Sequence, residues 1–91
     1  MSVDGELPAG EPNPDILWRV VGEEALLLDT ITGHYFSLNP VATAIWQKLA
    51  AGDPVDKIAV AIADRYGKNI DVVQGDIEEF LAEMRDANIW R

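Results

Sequence analysis

The chain has 91 residues, 48% of them hydrophobic, and sets seven Lys and Arg against sixteen Asp and Glu for a net charge of -9. A chain of this length is expected to hold one core, which excludes a multi-domain enzyme, and its charge repels phosphate backbones and anionic lipid, so neither nucleic acid nor membrane is an expected partner. With no Cys and His34 as its one histidine, it lacks disulfides, thiolate chemistry and most of the means to ligate zinc or an iron–sulfur cluster.

Residues 1–15 carry three Pro, two Gly, four acids and no Lys or Arg. Such a composition buries too little surface to offset chain entropy and is expected to form a disordered acidic tail, with a single domain over residues 16–91. Neither a basic start followed by an apolar stretch nor an apolar run of membrane-spanning length is present, and a cytoplasmic protein is expected. From Ile16 the character changes. Ile16-Leu17-Trp18-Arg19-Val20-Val21 is β-branched and aromatic, Gly22-Glu23-Glu24 reads as a turn, and residues 25–29 form a second apolar run. Thr30-Ile31-Thr32-Gly33 supplies another turn, and residues 34–38 alternate as a third strand. Connections this short favour an antiparallel meander with the third strand at an edge.

After Leu38 the apolar period lengthens to that of a helix. Asn39-Pro40 is a helix start, because Asn accepts from orphan N–H groups and Pro at the first position lacks a donor that would go unused. Ala42, Ile45, Trp46 and Leu49 make one stripe, closed by Gly52. Asp53-Pro54 is read as a second start of the same kind, with Val55, Ile58, Ala59, Ile62 and Ala63 inward and Tyr66-Gly67 as the end. Asp71-Val72-Val73-Gln74 has capping-box spacing for a third helix running to about Ala87, with Val73, Ile77, Phe80, Leu81 and Met84 on its buried face. Ile89 and Trp90 are expected to fold back on the core. The fold class is therefore α+β, winged-helix-like, with a three-stranded antiparallel sheet followed by three α-helices.

Little in the chain suggests catalysis. His34 has no His, Cys or carboxylate at ligand spacing and reads as a structural or surface histidine, and no metal or cofactor is expected. No glycine-rich phosphate loop is present, and Trp18, Trp46, Trp90, Phe36 and Phe80 lack the basic neighbours of a base-stacking surface. In winged-helix DNA readers the third helix is basic; here residues 71–86 hold six acids and the single base Arg85, which disfavours a DNA-binding regulator. Asp76, Glu79 and Glu83 share one helical face, where a solvated surface is the plainer reading and attraction of a basic peptide or hard cation the sharper one.

The third strand is more informative. Residues 34–38 contain no Pro, Lys or bulge signal to blunt an open edge, so the outer N–H and C=O groups can accept another chain, and the third helix would form the other wall of a groove. The acidic tail, Ile89-Trp90 or a second copy could equally cover that edge.

The ordered set Tyr35-Phe36-Ser37-Leu38-Asn39-Pro40, Ala44-Ile45-Trp46-Gln47-Lys48-Leu49, Tyr66-Gly67 and Asp76-Ile77-Glu78-Glu79-Phe80-Leu81 resembles the PqqD family, over about Ile16 to Trp90. One departure is Asn88, where the family often has Gly; Asn also tolerates left-handed backbone. The resemblance implies a non-catalytic adaptor that holds the leader of a ribosomally made precursor peptide as an added strand and delivers it to a leader peptidase or other maturation enzyme. It implies a site made of the backbone of His34, Tyr35, Phe36, Ser37 and Leu38, with Val72, Val73, Asp76, Ile77, Phe80 and Met84 on the third helix. A stand-alone chain of this size looks most like the recognition protein of lasso peptide biosynthesis, with a peptide chaperone for a radical-SAM maturase as the alternative, and a monomer or weak homodimer is expected.

Overall fold

The computed structural model describes residues 9–91. Strands β1 (Ile16–Val21), β2 (Glu24–Asp29) and β3 (Tyr35–Leu38) form an antiparallel sheet in the order β1-β2-β3, followed by helices α1 (Pro40–Ala50), α2 (Val55–Tyr66) and α3 (Ile70–Asp86). This is the expected α+β arrangement, with β2 central and both β1 and β3 at edges.

Side chains alternate across the sheet, so the register sorts them into two faces. Trp18 and Phe36 flank Leu27, and Val20 and Leu38 flank Ala25, on the face turned to the helices. Ala25 and Leu27 are fully buried there. Among the described residues, no helix packs on the opposite face. Leu17, Leu26 and Tyr35 remain 61%, 42% and 75% exposed on it, around a shallow depression of about 240 Å³ that Arg19 and Leu28 also line.

Helix α1 starts as its sequence predicts: Asn39 Oδ1 accepts from the Ala42 N–H at 2.8 Å, and Pro40 takes the first helical position. Trp46, fully buried, meets Trp18 and Trp90 edge-to-face at centroid distances of 5.7 and 5.6 Å. The other two helix starts differ from expectation. In α2, Pro54 and not Asp53 is the capping residue, with no side-chain cap bond, because Pro54 holds extended backbone while its carbonyl accepts from Lys57 and Ile58. In α3, Asn69 caps through Oδ1 to the Asp71 N–H at 2.8 Å, displacing the predicted Asp71–Gln74 box. The α2 end is as predicted, with Gly67 in left-handed backbone at φ 65°.

The buried Thr43 joins α1 to the sheet. Its Oγ1 accepts from the Ala25 N–H at 2.8 Å and donates to the Leu38 carbonyl at 3.1 Å, so one hydroxyl stands between the two residues that face each other at the end of the β2–β3 ladder. At the other end of the ladder Asp29 organises the connection. Its Oδ1 accepts from Ile31 N–H at 2.9 Å and Thr32 N–H at 3.2 Å, while its own N–H donates to the His34 carbonyl. The Thr32 and Ile31 amides hold the Asp29 carboxyl below its ordinary value of 3.8, with a smaller contribution from His34.

The chain ends are clasped together. Asn88 adopts φ 61°, after which the Ile89 and Trp90 N–H groups both donate to the Met84 carbonyl and their side chains are buried, as expected of a C-terminal lid. Residues 9–15, read from sequence as part of a disordered tail, run along this segment instead, while residues 1–8 lie outside the described residues. Glu11 and Arg91 exchange backbone hydrogen bonds, and Asn13 donates through N–H to Ile89 and through Nδ2 to Asn88, at 2.8 and 2.7 Å. Gly10, at φ 125°, lies so close to the Arg91 carbonyl that a Cβ would collide with it.

Two outcomes are expected. Thr43→Val keeps the shape but strips Ala25 N–H and Leu38 C=O of their partner, so urea denaturation should show a loss of about 1–3 kcal/mol, whereas Thr43→Ser keeps most of it. Because the Asp29 pKa is depressed on folding, its stabilisation is complete above the unfolded value of 3.8 and disappears as pH falls through the lower folded value. Denaturation curves across that acid limb should therefore be flatter for Asp29→Asn than for the parent chain.

Candidate functional site

Which backbone groups lie on the outer side of β3 follows from the ladder. Asp29 N–H donates to His34 C=O, and residues 29 and 34 continue the register Ala25↔Leu38, Leu27↔Phe36. In an extended strand the N–H and C=O of one residue point the same way and those of the next point oppositely. His34, Phe36 and Leu38 therefore turn their backbone towards β2, and Tyr35 and Ser37 turn theirs outward. Among the described residues, no hydrogen bond from another segment reaches the backbone of Tyr35 or Ser37. Of the segments that the sequence offers as covers for this edge, residues 9–13 of the tail and Ile89-Trp90 are engaged with each other, and residues 1–8 lie outside the described residues.

Where β3 passes into α1, an open cavity of about 330 Å³ begins at Asn39 and extends between the first turns of α1 and the body of α3. Val41, Ala42, Ile45 and Phe80 supply its apolar part, and Asp76, Glu79, Glu83 and Lys68 its charged part. Asp76, Glu79, Phe80 and Glu83 fall at helical positions i, i+3, i+4 and i+7, which places them on one face of α3. The site can pair with an extended main chain along β3 and receive apolar and charged side chains beside α3.

The residues named from sequence separate into groups. Asp76 and Phe80 line the cavity, and Tyr35 and Ser37 hold the open edge. His34 lies just outside the strand with its carbonyl committed to Asp29. Val73 and Ile77 are 1% and 0% exposed, so they belong to the core and present no surface to a ligand. Met84 is half-buried against that core, and Val72 is exposed without lining the cavity. Sequence reasoning missed Val41, Ala42, Ile45 and Lys68 as lining residues. The Leu38-Asn39-Pro40 run held a signal for the first three, since a helix that starts one residue after an edge strand must place its first turns at the end of that edge.

No match was found among curated proteins. The family model described as Coenzyme PQQ synthesis protein D (PqqD) matches residues 24–89. Among solved structures, TbiB1 in complex with the TbiA(beta) leader peptide is 26% identical, with a TM-score of 0.84 over 89% of this chain and 94% of that one. Lasso peptide synthetase B1 complexed with the leader peptide is 23% identical and has the same fold, with a TM-score of 0.82 over 87% of this chain and 93% of that one. The family match begins at the first residue of β2 and runs through the open edge of β3 and the whole of α3 to Ile89, and on that extent the chain belongs to the PqqD family.

Proposed function

We propose that this chain is a non-catalytic adaptor that captures the leader segment of a ribosomally made precursor peptide and delivers it to a maturation enzyme. The observation that carries the reading is the pair of outward-facing backbones at Tyr35 and Ser37, unpartnered among the described residues, next to a cavity with an apolar floor. A guest strand laid along β3 exchanges main-chain hydrogen bonds with these two residues, each worth about 0.5–1.5 kcal/mol net, and alternate guest side chains enter the cavity. Both solved neighbours hold leader peptides, which supports the same ligand class here. Our first reading of the pathway is lasso peptide biosynthesis, the class named for one of these neighbours, with a leader peptidase as the enzyme served. The family description favours a second reading, a peptide chaperone in the synthesis of coenzyme PQQ.

The acidic face of α3 and the net charge of -9 oppose use of the same architecture on DNA. Nor does the site need chemistry of its own. It holds a chain in extended form so that an enzyme can act on the part left free.

A synthetic peptide covering the leader of a precursor encoded beside this gene should bind with a micromolar or tighter Kd. Its amide shifts should centre on Tyr35, Ser37 and the cavity residues of α3, and duplex DNA should not bind. Ser37→Pro removes one outward donor on an edge strand, where Pro is tolerated, and should weaken binding at least about tenfold with little change in stability. Val20→Pro makes the equivalent change on the β1 edge, where the Thr30 N–H to Asp15 carbonyl bond sets the phase that turns the Val20 backbone outward; this variant should leave binding intact. If Ser37→Pro bound the leader as tightly as the parent, the β3 edge would not be the site.

A further inference from the structure

We infer that the captured peptide carries a lysine or arginine beside its strand-pairing segment, seated in the cavity between α1 and α3 with its aliphatic stem on Val41, Ala42, Ile45 and Phe80 and its cationic head among Asp76, Glu79 and Glu83. The inference rests on strand capture at β3 and specifies the chemistry of what is captured.

The cavity residues define the selection. The floor is purely aliphatic and aromatic, while the α3 wall puts three carboxylates along about two helical turns with Lys68 as the sole base among the lining residues. A side chain that is apolar along its length and positive at its tip suits such a site, since it buries methylenes while the head stays at the charged rim. Lys68 is the cation of the chain that shares the cavity with these carboxylates. Among the described residues none of the three takes part in a side-chain hydrogen bond, and the one base of α3, Arg85, donates instead to the Ala9 carbonyl at 2.7 Å. Nor do they converge on a point: no group of three or more His, Cys, Asp or Glu among the described residues could hold a metal ion. A row of acids spread along a wall suits a basic chain lying beside it better than a single bound ion. Asp71 and Glu78, on another face of the same helix, do not line the cavity and serve as internal controls.

The test is a selection of random dodecapeptides by messenger-RNA display on the immobilised full chain, on D76N/E79Q/E83Q, and on D64N/D71N/E78Q. The two triple variants share a net charge and differ in whether the cavity is neutralised. The parent and the control should enrich peptides with Lys or Arg at a fixed distance from an alternating apolar segment. D76N/E79Q/E83Q should lose that preference and bind the parent's peptides about tenfold more weakly at low salt, whereas Lys68→Gln should bind them more tightly. Ser37→Pro, used as a counter-screen, separates the two levels of the reading. Peptides that depend on Ser37 but show no basic position, or that weaken equally on both triple variants, would overturn the charge selection and leave strand capture standing. Absence of any peptide that depends on Ser37 would overturn both.

Discussion

One hydroxyl group governs how this domain presents its edge. Thr43 sits between the Ala25 amide and the Leu38 carbonyl, in a position where two strands would ordinarily bond to each other. Its side chain opens the end of the β2–β3 ladder and ties it to α1, so β3 cannot tilt without breaking a contact buried in the core. The groove depends on this junction, because the first turns of α1 form part of the cavity wall immediately after β3 ends. A strand held only by β2 would be a four-residue edge free to fray; pinned at Leu38 by Thr43 and at its start by the Asp29 turn, it presents Tyr35 and Ser37 in a fixed phase.

The division of labour in α3 follows from the same geometry. One side of the helix belongs to the core, through Val73, Ile77 and Leu81. The adjoining side carries Asp76, Glu79, Phe80 and Glu83 into the cavity. Phe80 stands at the boundary, half-buried and packed on the core cluster while lining the groove, so floor and core share one side chain. The far end of the helix is held by Arg85 and by the clasped termini, which leaves the cavity-lining turns without hydrogen bonds to residues 9–15.

Much of the architecture was legible in the residues. Short apolar runs split by Gly-containing turns announced the meander, Asn39-Pro40 announced α1, and the apolar stripe of α3 announced its buried face. Features that depend on the partner of a backbone group were not legible. The phase of β3 is set by the pairing of Asp29 with His34, a long-range fact that alternation alone leaves ambiguous. Thr43 looks like an unremarkable polar residue in a helical stripe, and nothing local marks its hydroxyl as a bridge. Residues 9–15 failed a test of composition because their docking uses main-chain bonds, side-chain bonds from Asn13, Arg85 and Trp90, and one glycine contact, which depend little on hydrophobic content. Val73 and Ile77 were assigned to both core and groove, and the core took them because a helix offers only so much circumference.

Among the described residues the sheet is clothed on one side only, and Leu17, Leu26 and Tyr35 on its bare side leave a patch that water wets poorly. Copies of the chain each bearing a charge of -9 push one another away before such patches can touch. Colloidal stability is thus a property of the ionic atmosphere as well as of the fold: in concentrated electrolyte the mutual repulsion fades over a few ångströms, and stickiness on that bare side is left unopposed.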